Sequence, residues 1–449
     1  MIAPRLRLVL TTFLVAVPLA TVAGLNYGLA PASVLLIGIA ILLGLSDLLF
    51  ARNRYRTLDF SLPDVVRGIV NEVAQLETRA KHNGRRNAVI RVAVSFPDGL
   101  EPEADQNLIK LSETTPEGVA RFLFVARSRG TFQIQDAYFE WHSPLGFWVH
   151  RERRIVQCEV RIYPNLRIEG KQIARFLARG AIGLHAKPQV GRGREFEKLR
   201  EYEQGDGFDE IHWKATAKRR LPVTKVFQLE RSQEVYVAVD TSRLSARPLP
   251  EPFVPCGKHK TTTHLDRAIS AALLLCVAAE RQGDRFGFIC FSDRVNHLFK
   301  ARSGPTHFNG CRELTLSLFP RSVSPDFTEV AATIKNRVKR RSLIVIMTSL
   351  DDPVIADDFV AAVGALSRQH VVLAIMIAHE RVQPLFSGDP VKNVDQIYWK
   401  LGGHLQWARL QSLQRILARK AVQFDILPNH GAAVKLVSHY MDVKRRQAL

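Results

Sequence analysis

Two long apolar stretches open the chain, and only three residues separate them. Leu8–Leu25 contains no charged residue, and Leu29–Phe50 contains none before Asp47. Each stretch is close to the roughly 20 residues that an α-helix needs to cross the hydrocarbon core of a bilayer. The pattern therefore predicts a transmembrane helical hairpin within residues 1–57.

Arginines flank this predicted hairpin on both sides. Arg5 and Arg7 precede it, and Arg52, Arg54 and Arg56 follow it. Since positive residues stay on the cytoplasmic side of a membrane, both ends of the hairpin and the rest of the chain are expected there. A cleaved secretory signal is the alternative interpretation of the first stretch. The second apolar stretch, with arginines directly behind it, favours the hairpin.

Residues 58–166 show alternation of period two, which is typical of strands. In Ile90–Phe96, for example, every second residue is a large apolar one, and Gly- and Pro-containing turns separate such runs. Short strands at this spacing predict a small β-sandwich. Val65–Lys81 fits either a helix stripe or a strand. Three aromatic residues are interpreted as sandwich core, with a docking or membrane-facing patch as the alternative: Trp141, Phe147 and Trp148.

Residues 167–234 join this domain to the next one, and their composition changes along the segment. Four glycines predict that the first half is loop-like: Gly180, Gly183, Gly191 and Gly193. Interleaved acidic and basic residues in the same region indicate a solvated face.

From residue 235 to residue 449, apolar strands alternate with helical stripes. Such alternation predicts a doubly wound α/β sheet of parallel strands with helices on both faces. The predicted strands are Val235–Asp240, Arg285–Phe291, Ser342–Met347, Val371–Ile377 and Val422–Leu427. The predicted helices lie near Leu265–Arg281, Phe327–Arg340, Ala356–Arg368, Leu405–Ala421 and Ala432–Val443. In such folds ligands bind beyond the carboxyl ends of the strands, which places Asp240 at a candidate site.

Charge and cysteine usage narrow the classes of function. The net charge of +20 favours an acidic partner, and the nearest one is the anionic face of the membrane. The five cysteines are widely spaced and contain no CxxC pair, which excludes zinc-ribbon and thioredoxin-type sites. Phosphate-binding GxxxxGK[ST], HExxH and GxSxG motifs are absent from the sequence. Nucleic-acid-binding signatures are absent too, so nucleic acid is an unlikely partner.

Several segments give the chain a family resemblance. LREYEQGD (199–206), IHWKATAKRRLPVTKVF (211–227) and a strand ending in Asp240-Thr241-Ser242 resemble the bacterial domain-of-unknown-function 58 family. SFPDGL, RGTFQI, SPLGFW, RIYPNL and the tail HYMDVKRR are similar to the same family. The resemblance implies a protein of the bacterial inner membrane with a von Willebrand A-like domain. It also implies a MoxR-type AAA+ ATPase as partner, and it favours strand within Val65–Lys81.

The resemblance further implies a metal site. A von Willebrand A domain holds Mg²⁺ or Mn²⁺ with an Asp-x-Ser-x-Ser loop, since these cations prefer hard oxygen ligands. Asp240 and Ser242 match that loop, and Ser324 is a candidate for the third ligand. Leu244 stands in place of the second serine, and Ser349 stands where an aspartate is usual. A degenerate Mg²⁺ or Mn²⁺ site is therefore expected at most.

The segment between the domains is a second candidate site. It combines acidic, basic, imidazole and indole groups in a short stretch: Arg200, Asp206, His212, Trp213, Lys214 and Arg219. We interpret it as a belt of ion pairs in which Trp213 fills a seam. A general base formed by His212 with Asp206 or Asp209 is one alternative, and a phosphate-binding patch is another.

The sequence as a whole favours a non-enzymatic, membrane-anchored adaptor that presents the strand-end loops to an AAA+ ATPase or its client proteins. A hydrolase that uses His212 and Asp206 is the alternative. Binding of anionic lipid or nucleic acid through the basic surface is a third hypothesis.

Overall fold

A computed structural model divides the chain into two compact units, Met1–Pro164 and Asn165–Leu449. It describes residues 2–25, 27–54, 58–82, 88–111, 117–181, 190–203, 207–208, 211–228, 232–249, 262–378, 382–387 and 393–446.

The first unit begins with the two predicted membrane helices, α1 (Leu6–Leu25) and α2 (Ala30–Arg54). Their apolar segments have mean hydropathies of 2.2 and 2.4, and both are long enough to cross a membrane. No residue of α1 is buried within the protein. Apolar side chains exposed along a whole helix are stable in lipid rather than in water, so this unit is membrane-associated.

The remainder of the first unit is a sandwich of two sheets. Its strands are β1 (Ile2–Pro4), β2 (Leu58–Ser61), β3 (Val65–Ile69), β4 (Val73–His82), β5 (Ala88–Val94), β6 (Leu100–Pro102), β7 (Gln106–Leu111), β8 (Glu117–Ala126), β9 (Gly130–His142) and β10 (Trp148–Tyr163). One sheet has the order β1-β10-β9-β5-β7, with β3 paired to β10, and the other has the order β2-β4-β8-β6. Leu76 and Phe122 of one sheet share a buried core with Ile90 and Phe139 of the other.

The ambiguous stretch 65–81 forms strands β3 and β4. Asn71 lies in the turn between them with a positive φ of 58°, a conformation that asparagine tolerates better than most residues. This backbone reversal ends the apparent helical stripe, because residues on its two sides belong to different strands.

The turn between β9 and β10 joins the sandwich to the membrane helices. The indole Nε1 of Trp148 donates to the carbonyl of Gly44 at 2.9 Å, and the Leu145 amide donates to Asp47 Oδ1 at 3.0 Å. Trp141, by contrast, is buried in the sandwich. The aromatic cluster therefore serves two roles, core at Trp141 and contact with α2 at Trp148.

The second unit contains an α/β sheet and a smaller two-stranded ribbon. Its helices are α3 (Arg167–Ala181), α4 (Trp213–Arg219), α5 (His264–Arg281), α6 (Pro305–Leu316), α7 (Phe327–Arg337), α8 (Pro353–Leu366), α9 (Val394–Arg419) and α10 (Ala432–Arg445). Its strands are β11 (Val190–Glu201), β12 (Val223–Gln228), β13 (Glu234–Asp240), β14 (Pro248–Leu249), β15 (Thr262–Thr263), β16 (Arg285–Phe291), β17 (Val295–Arg302), β18 (Leu343–Met347), β19 (Val371–Ile377) and β20 (Val422–Leu427).

The main sheet has the strand order β17-β16-β13-β18-β19-β20. All neighbouring strands are parallel except β16 and β17, which are antiparallel. Val237 of the central strand β13 packs in a core with α3, α5, α6 and α10, whereas its neighbour Ala238 packs in a second core with α7, α8 and α9. Since successive strand residues point to opposite faces, helices cover both faces of this sheet.

Several sequence predictions for this unit were wrong in detail. The loop expected around Gly191 and Gly193 is part of strand β11. Residues 167–181, predicted to be loop, form helix α3, because Ile173 and Leu177 bury one face against the sheet's helices. Strand β17 was not predicted, since it is an edge strand whose residues are only partly buried. Helix α9 begins at Val394 rather than near Leu405, because its first turns make few core contacts and lack a core-facing stripe.

Gly287 in β16 offers a test of how tightly the sheet is packed. A Cβ at this position would lie 2.3 Å from the ring of Tyr236 and 3.1 Å from the Phe299 carbonyl oxygen. We expect Gly287→Ala to lower the free energy of unfolding by about 1–3 kcal/mol, because the ring must leave its packed position. Gly402→Ala is the matched control: it meets no atom within 4 Å in α9 and is expected to stabilise the helix by about 0.8 kcal/mol. Urea unfolding of both variants checks the pair, and equal effects would contradict this account.

Candidate functional site

Asp240 lies at the carboxyl end of the central strand β13 and is almost fully buried, with 3 % of its surface exposed. Its Oδ1 accepts a hydrogen bond from the Ser242 amide at 2.7 Å, and its Oδ2 accepts one from the Thr348 hydroxyl at 2.6 Å. Burial raises the pKa of Asp240 above its ordinary value, and the hydrogen bonds from Thr348 and Ser242 lower it in part. The carboxylate thus links the ends of two neighbouring strands, β13 and β18.

The loop after Asp240 is held by its own hydrogen bonds. Ser242 caps a single 3₁₀ turn, Arg243–Ala246, because its hydroxyl accepts from the Leu244 amide at 3.3 Å. The Ser245 hydroxyl donates to the Ser242 carbonyl at 2.7 Å. Leu244 is buried in the core rather than directed toward a ligand position.

Two arginines of this turn bind the polar side chains that surround it. Arg243 Nε donates to Ser324 Oγ at 3.3 Å, which uses one of the predicted ligands. Arg247 pairs with Asp351 and lies 3.5 Å from Ser349 Oγ. Asp351 also accepts from Ser349 Oγ at 3.0 Å and from Gln406 Nε2 at 2.7 Å. The guanidinium groups of these two arginines therefore bind the oxygen atoms that a metal ion would need as ligands.

A small cavity of about 20 Å³ lies beside Asp240. Its polar lining includes Thr348, Ser349 and the buried His264 at the start of α5, and its apolar lining includes Ile375 and Ile377. A cavity of this size accommodates one water molecule. It is far smaller than the pockets of roughly 300–1,000 Å³ that bind small-molecule substrates.

The three predicted metal ligands do not form an available donor set. Asp240 directs its oxygens at protein donors, Ser242 Oγ caps its own turn, and Ser324 Oγ accepts from an arginine. Among the residues that the structure describes, no group of three or more His, Cys, Asp or Glu residues is arranged to hold a metal. Octahedral Mg²⁺ requires near-ideal geometry at about 2.0–2.1 Å, so these residues do not fit the ion.

We expect millimolar Mg²⁺ or Mn²⁺ to produce no saturable heat and no change in melting temperature with the purified full-length protein. The reason is that a metal would have to share the buried Asp240 carboxylate with two hydrogen bonds and compete with Arg243 for Ser324. Calorimetric titration checks this prediction, with Ca²⁺ as a control for nonspecific binding to carboxylates. Saturable heat that disappears in Asp240→Ala would show that the loop rearranges to bind metal.

The second candidate site is only partly described. Asp206 and Asp209 lie outside the described residues, and so does the side chain of Arg219. His212 is the N-cap of α4: its Nδ1 accepts from the Ala215 amide at 3.0 Å, and its own amide donates to the Val223 carbonyl at 2.8 Å. This capping role uses one ring nitrogen, so the imidazole is anchored by the backbone that follows it.

The described residues of that segment test only part of the expected belt, since Asp206 lies outside them. Arg200 on β11 pairs with the nearby Glu203. Trp213, which we expected to fill a seam, is 66 % exposed, and Lys214 is exposed beside it. The reason is the orientation of α4, which contacts β12 through Thr216, whose hydroxyl accepts from the Val223 amide at 3.1 Å. Trp213 at the first turn of this short helix is left facing solvent.

Sequence reasoning missed the residues that complete the strand-end site. Thr348 follows β18 directly, in the same position relative to its strand as Thr241 relative to β13. The rule that parallel strands end at one edge would have found it. Arg247 and Gln406 carried no comparable signal, because their partner Asp351 is distant from them in sequence.

Comparison with known proteins finds a family model that is similar to part of the chain. The protein-family model described as "Protein of unknown function DUF58" matches residues 198–395 of this chain. No curated protein matches the chain. Solved structures with some similarity include the conserved hypothetical protein BatB from Bacteroides thetaiotaomicron, which is 14 % identical with a TM-score of 0.30 and covers 48 % of this chain and 100 % of that one. An aerotolerance-related membrane protein from Bacteroides fragilis is 15 % identical with a TM-score of 0.29, covering 47 % and 99 % respectively. At these scores neither structure indicates an activity for this chain.

Proposed function

We propose, from the premise that residues 198–395 form a DUF58 domain, that this chain is a membrane-anchored adaptor without enzymatic activity of its own. In this proposal the carboxyl edge of the main sheet binds a protein partner. The arginine-rich flanks of the hairpin orient both of its ends toward the cytoplasm of a bacterial inner membrane. The strand order with one antiparallel edge strand supports a von Willebrand A-like, doubly wound fold.

The observation that carries the proposal is the surface around Asp240. The carboxylate is buried and bonded to the protein, and the adjoining cavity admits one water rather than a substrate. Around it, Arg243, Arg247 and Arg321 present exposed cationic side chains at the edge of the sheet, where the Arg321 amide donates to the Thr241 carbonyl at 2.8 Å. A charged surface that is already held in place, with no room beneath it for a substrate, is suited to binding another protein.

The buried cysteine thiols of the second unit also support a role in protein binding rather than in catalysis. Burial raises the pKa of Cys311 to about 11, and it raises the pKa of Cys276 and Cys290 still further. These side chains are protonated at neutral pH and are weak nucleophiles.

The partner that the family resemblance implies is a MoxR-type AAA+ ATPase or its client complex. The test is affinity purification of the full-length protein from its native membranes, comparing Arg243→Glu and Arg321→Glu with the control Lys335→Glu. Lys335 is an exposed residue of α7, so the control makes the same charge change elsewhere on the unit. We expect the two edge variants to lose an AAA+ ATPase that the control retains. Equal recovery by all three would refute the edge as the contact surface.

The hydrolase alternative is tested on the same purified protein with His212→Asn. Asparagine is a good N-cap, so this variant keeps α4 folded while it removes the imidazole, whereas His212→Ala is expected to cost about 1 kcal/mol of stability. Under the adaptor proposal His212→Asn changes nothing in assays with ester, phosphate and peptide substrates, because the wild-type protein shows no turnover. Turnover by the wild type that His212→Asn abolishes would replace the proposal.

A further inference from the structure

Helix α9 carries an apolar stripe that faces away from the protein core. Five side chains form this stripe, and 44–69 % of each is exposed: Val394, Ile397, Tyr398, Leu401 and Leu405. Their spacing places them on one side of the helix, since 3.6 residues make a turn. Leu410, Leu413 and Leu417 bury the opposite side of the same helix against the sheet. The stripe is therefore additional to the packing that holds α9 in place.

A loop residue extends this exposed apolar surface. Phe386 is 98 % exposed, and the carbonyl of its neighbour Ser387 accepts a hydrogen bond from Lys400 of α9 at 3.4 Å. The loop tip thus lies beside the stripe. Exposed apolar side chains that lie near one another on a surface are unfavourable in water and mark an interaction site.

The charge of α9 indicates what covers the stripe. The helix contains one acidic residue, Asp395, against four basic ones: Lys400, Arg409, Arg415 and Arg419. The three arginines are exposed and follow the stripe along the solvent side of the helix. An apolar surface continued by arginines complements an anionic lipid surface, where apolar side chains enter the acyl boundary and cations bind phosphates.

We propose that the stripe, Phe386 and the three arginines of α9 form a membrane-binding surface that lies on the bilayer. The first unit holds the chain at a membrane through α1 and α2, so the lipid surface is present at a high effective concentration. Tyr398 at the centre of the stripe is of the type that prefers the interface between headgroups and hydrocarbon. The second unit would then contact the membrane directly, in addition to its covalent tether.

The test is spin labelling of the full-length protein in lipid nanodiscs. Cys256, which lies outside the described residues, is replaced by serine, and the remaining four cysteines are buried and label poorly. A label at Tyr398→Cys reports the stripe, and one at Asn336→Cys on the exposed side of α7 is the control. We expect the label at position 398 to lose accessibility to a water-soluble nickel reagent and to gain accessibility to oxygen, while the label at position 336 remains water-accessible.

Nanodiscs of different lipid charge distinguish binding through the arginines from binding through the apolar stripe. In nanodiscs with phosphatidylglycerol the loss of nickel accessibility at position 398 is expected to exceed that in phosphatidylcholine alone, and replacing the three arginines by glutamine is expected to remove the difference. Two results overturn the proposal: equal water accessibility at positions 398 and 336, or protection at 398 accompanied by dipolar coupling between labels on two chains. The second result would assign the stripe to self-association. Circular dichroism of each labelled variant verifies that the protein is folded.

Discussion

Asp284→Ala is expected to lower the free energy of unfolding by about 3–5 kcal/mol, because it removes the charge that balances a partly buried lysine. Asp284 is fully buried at the start of β16. Its Oδ2 accepts hydrogen bonds from the Tyr440 hydroxyl and from Lys444 Nζ, the latter at 2.8 Å, and its Oδ1 accepts from the Gln233 amide at 3.0 Å. One carboxylate thus connects the entry to β13, the entry to β16 and helix α10.

Urea unfolding of the purified full-length protein measures this effect. Tyr440→Phe removes only the hydroxyl and is expected to cost about 1–2 kcal/mol. Asp442→Ala is the matched control on the same helix, since Asp442 pairs with Arg445 at 4.0 Å between half-exposed side chains. Such surface pairs contribute about 0–1 kcal/mol. A loss in Asp284→Ala no larger than in Asp442→Ala would show that Lys444 escapes to solvent without cost.

The buried Asp284 network also gives the tail segment of the chain a structural role. The tail motif HYMDVKRR (439–446) supplies Tyr440 and Lys444, and both bind Asp284. Burial, together with the neighbouring carboxylate, raises the pKa of Tyr440, so its hydroxyl stays protonated and serves as a donor. The motif therefore stabilises the packing of α10 on the sheet and is not part of the strand-end surface.

Strands rich in apolar residues were predictable from the sequence, and the partly polar edge strand β17 was not. Three of the predicted strands have the predicted bounds. Arg285–Phe291 and Val371–Ile377 are almost wholly apolar runs, and Val422–Leu427 is an edge strand that mixes apolar and polar residues. Strand β17 was not predicted because its exposed edge permits polar residues such as Lys300. The first turns of α9 escaped for the opposite reason, since their apolar residues face outward and do not match a core stripe.

The candidate site was predictable in position but not in chemistry. The alternation of strands and helices located Asp240 at a strand end. What surrounds it depends on contacts between residues far apart in sequence, such as Arg247 with Asp351 and Asp240 with Thr348. In the segment between the domains, composition suggested a charged cluster, whereas the orientation of the short helix α4 leaves Trp213 exposed.

Asp240 is expected to give the strand-end region a distinctive dependence on pH. Burial raises the pKa of Asp240 above its ordinary value of 3.8, so the folded protein binds this proton more tightly than the unfolded chain. The contribution of Asp240 to the free energy of unfolding is therefore largest below pH 3.8 and declines as the pH rises through the pKa of the folded state. Asp240→Asn cannot titrate, so the wild type should lose stability relative to this variant as the pH rises through the same window.

Three variants separate the charge of Asp240 from its hydrogen bonds. Asp240→Ala leaves the Ser242 amide and the Thr348 hydroxyl without their acceptor and is expected to cost about 2–4 kcal/mol. Thr348→Val removes a bond that lowers the pKa of Asp240, and it should move the decline in stability to higher pH. Urea unfolding at a series of pH values above 3.8 measures all of these effects. Parallel stability curves for the wild type and Asp240→Asn would show that the carboxyl titrates as it does in water. That result would refute the view that a buried carboxylate, bonded to the protein, lies at the centre of the proposed contact surface.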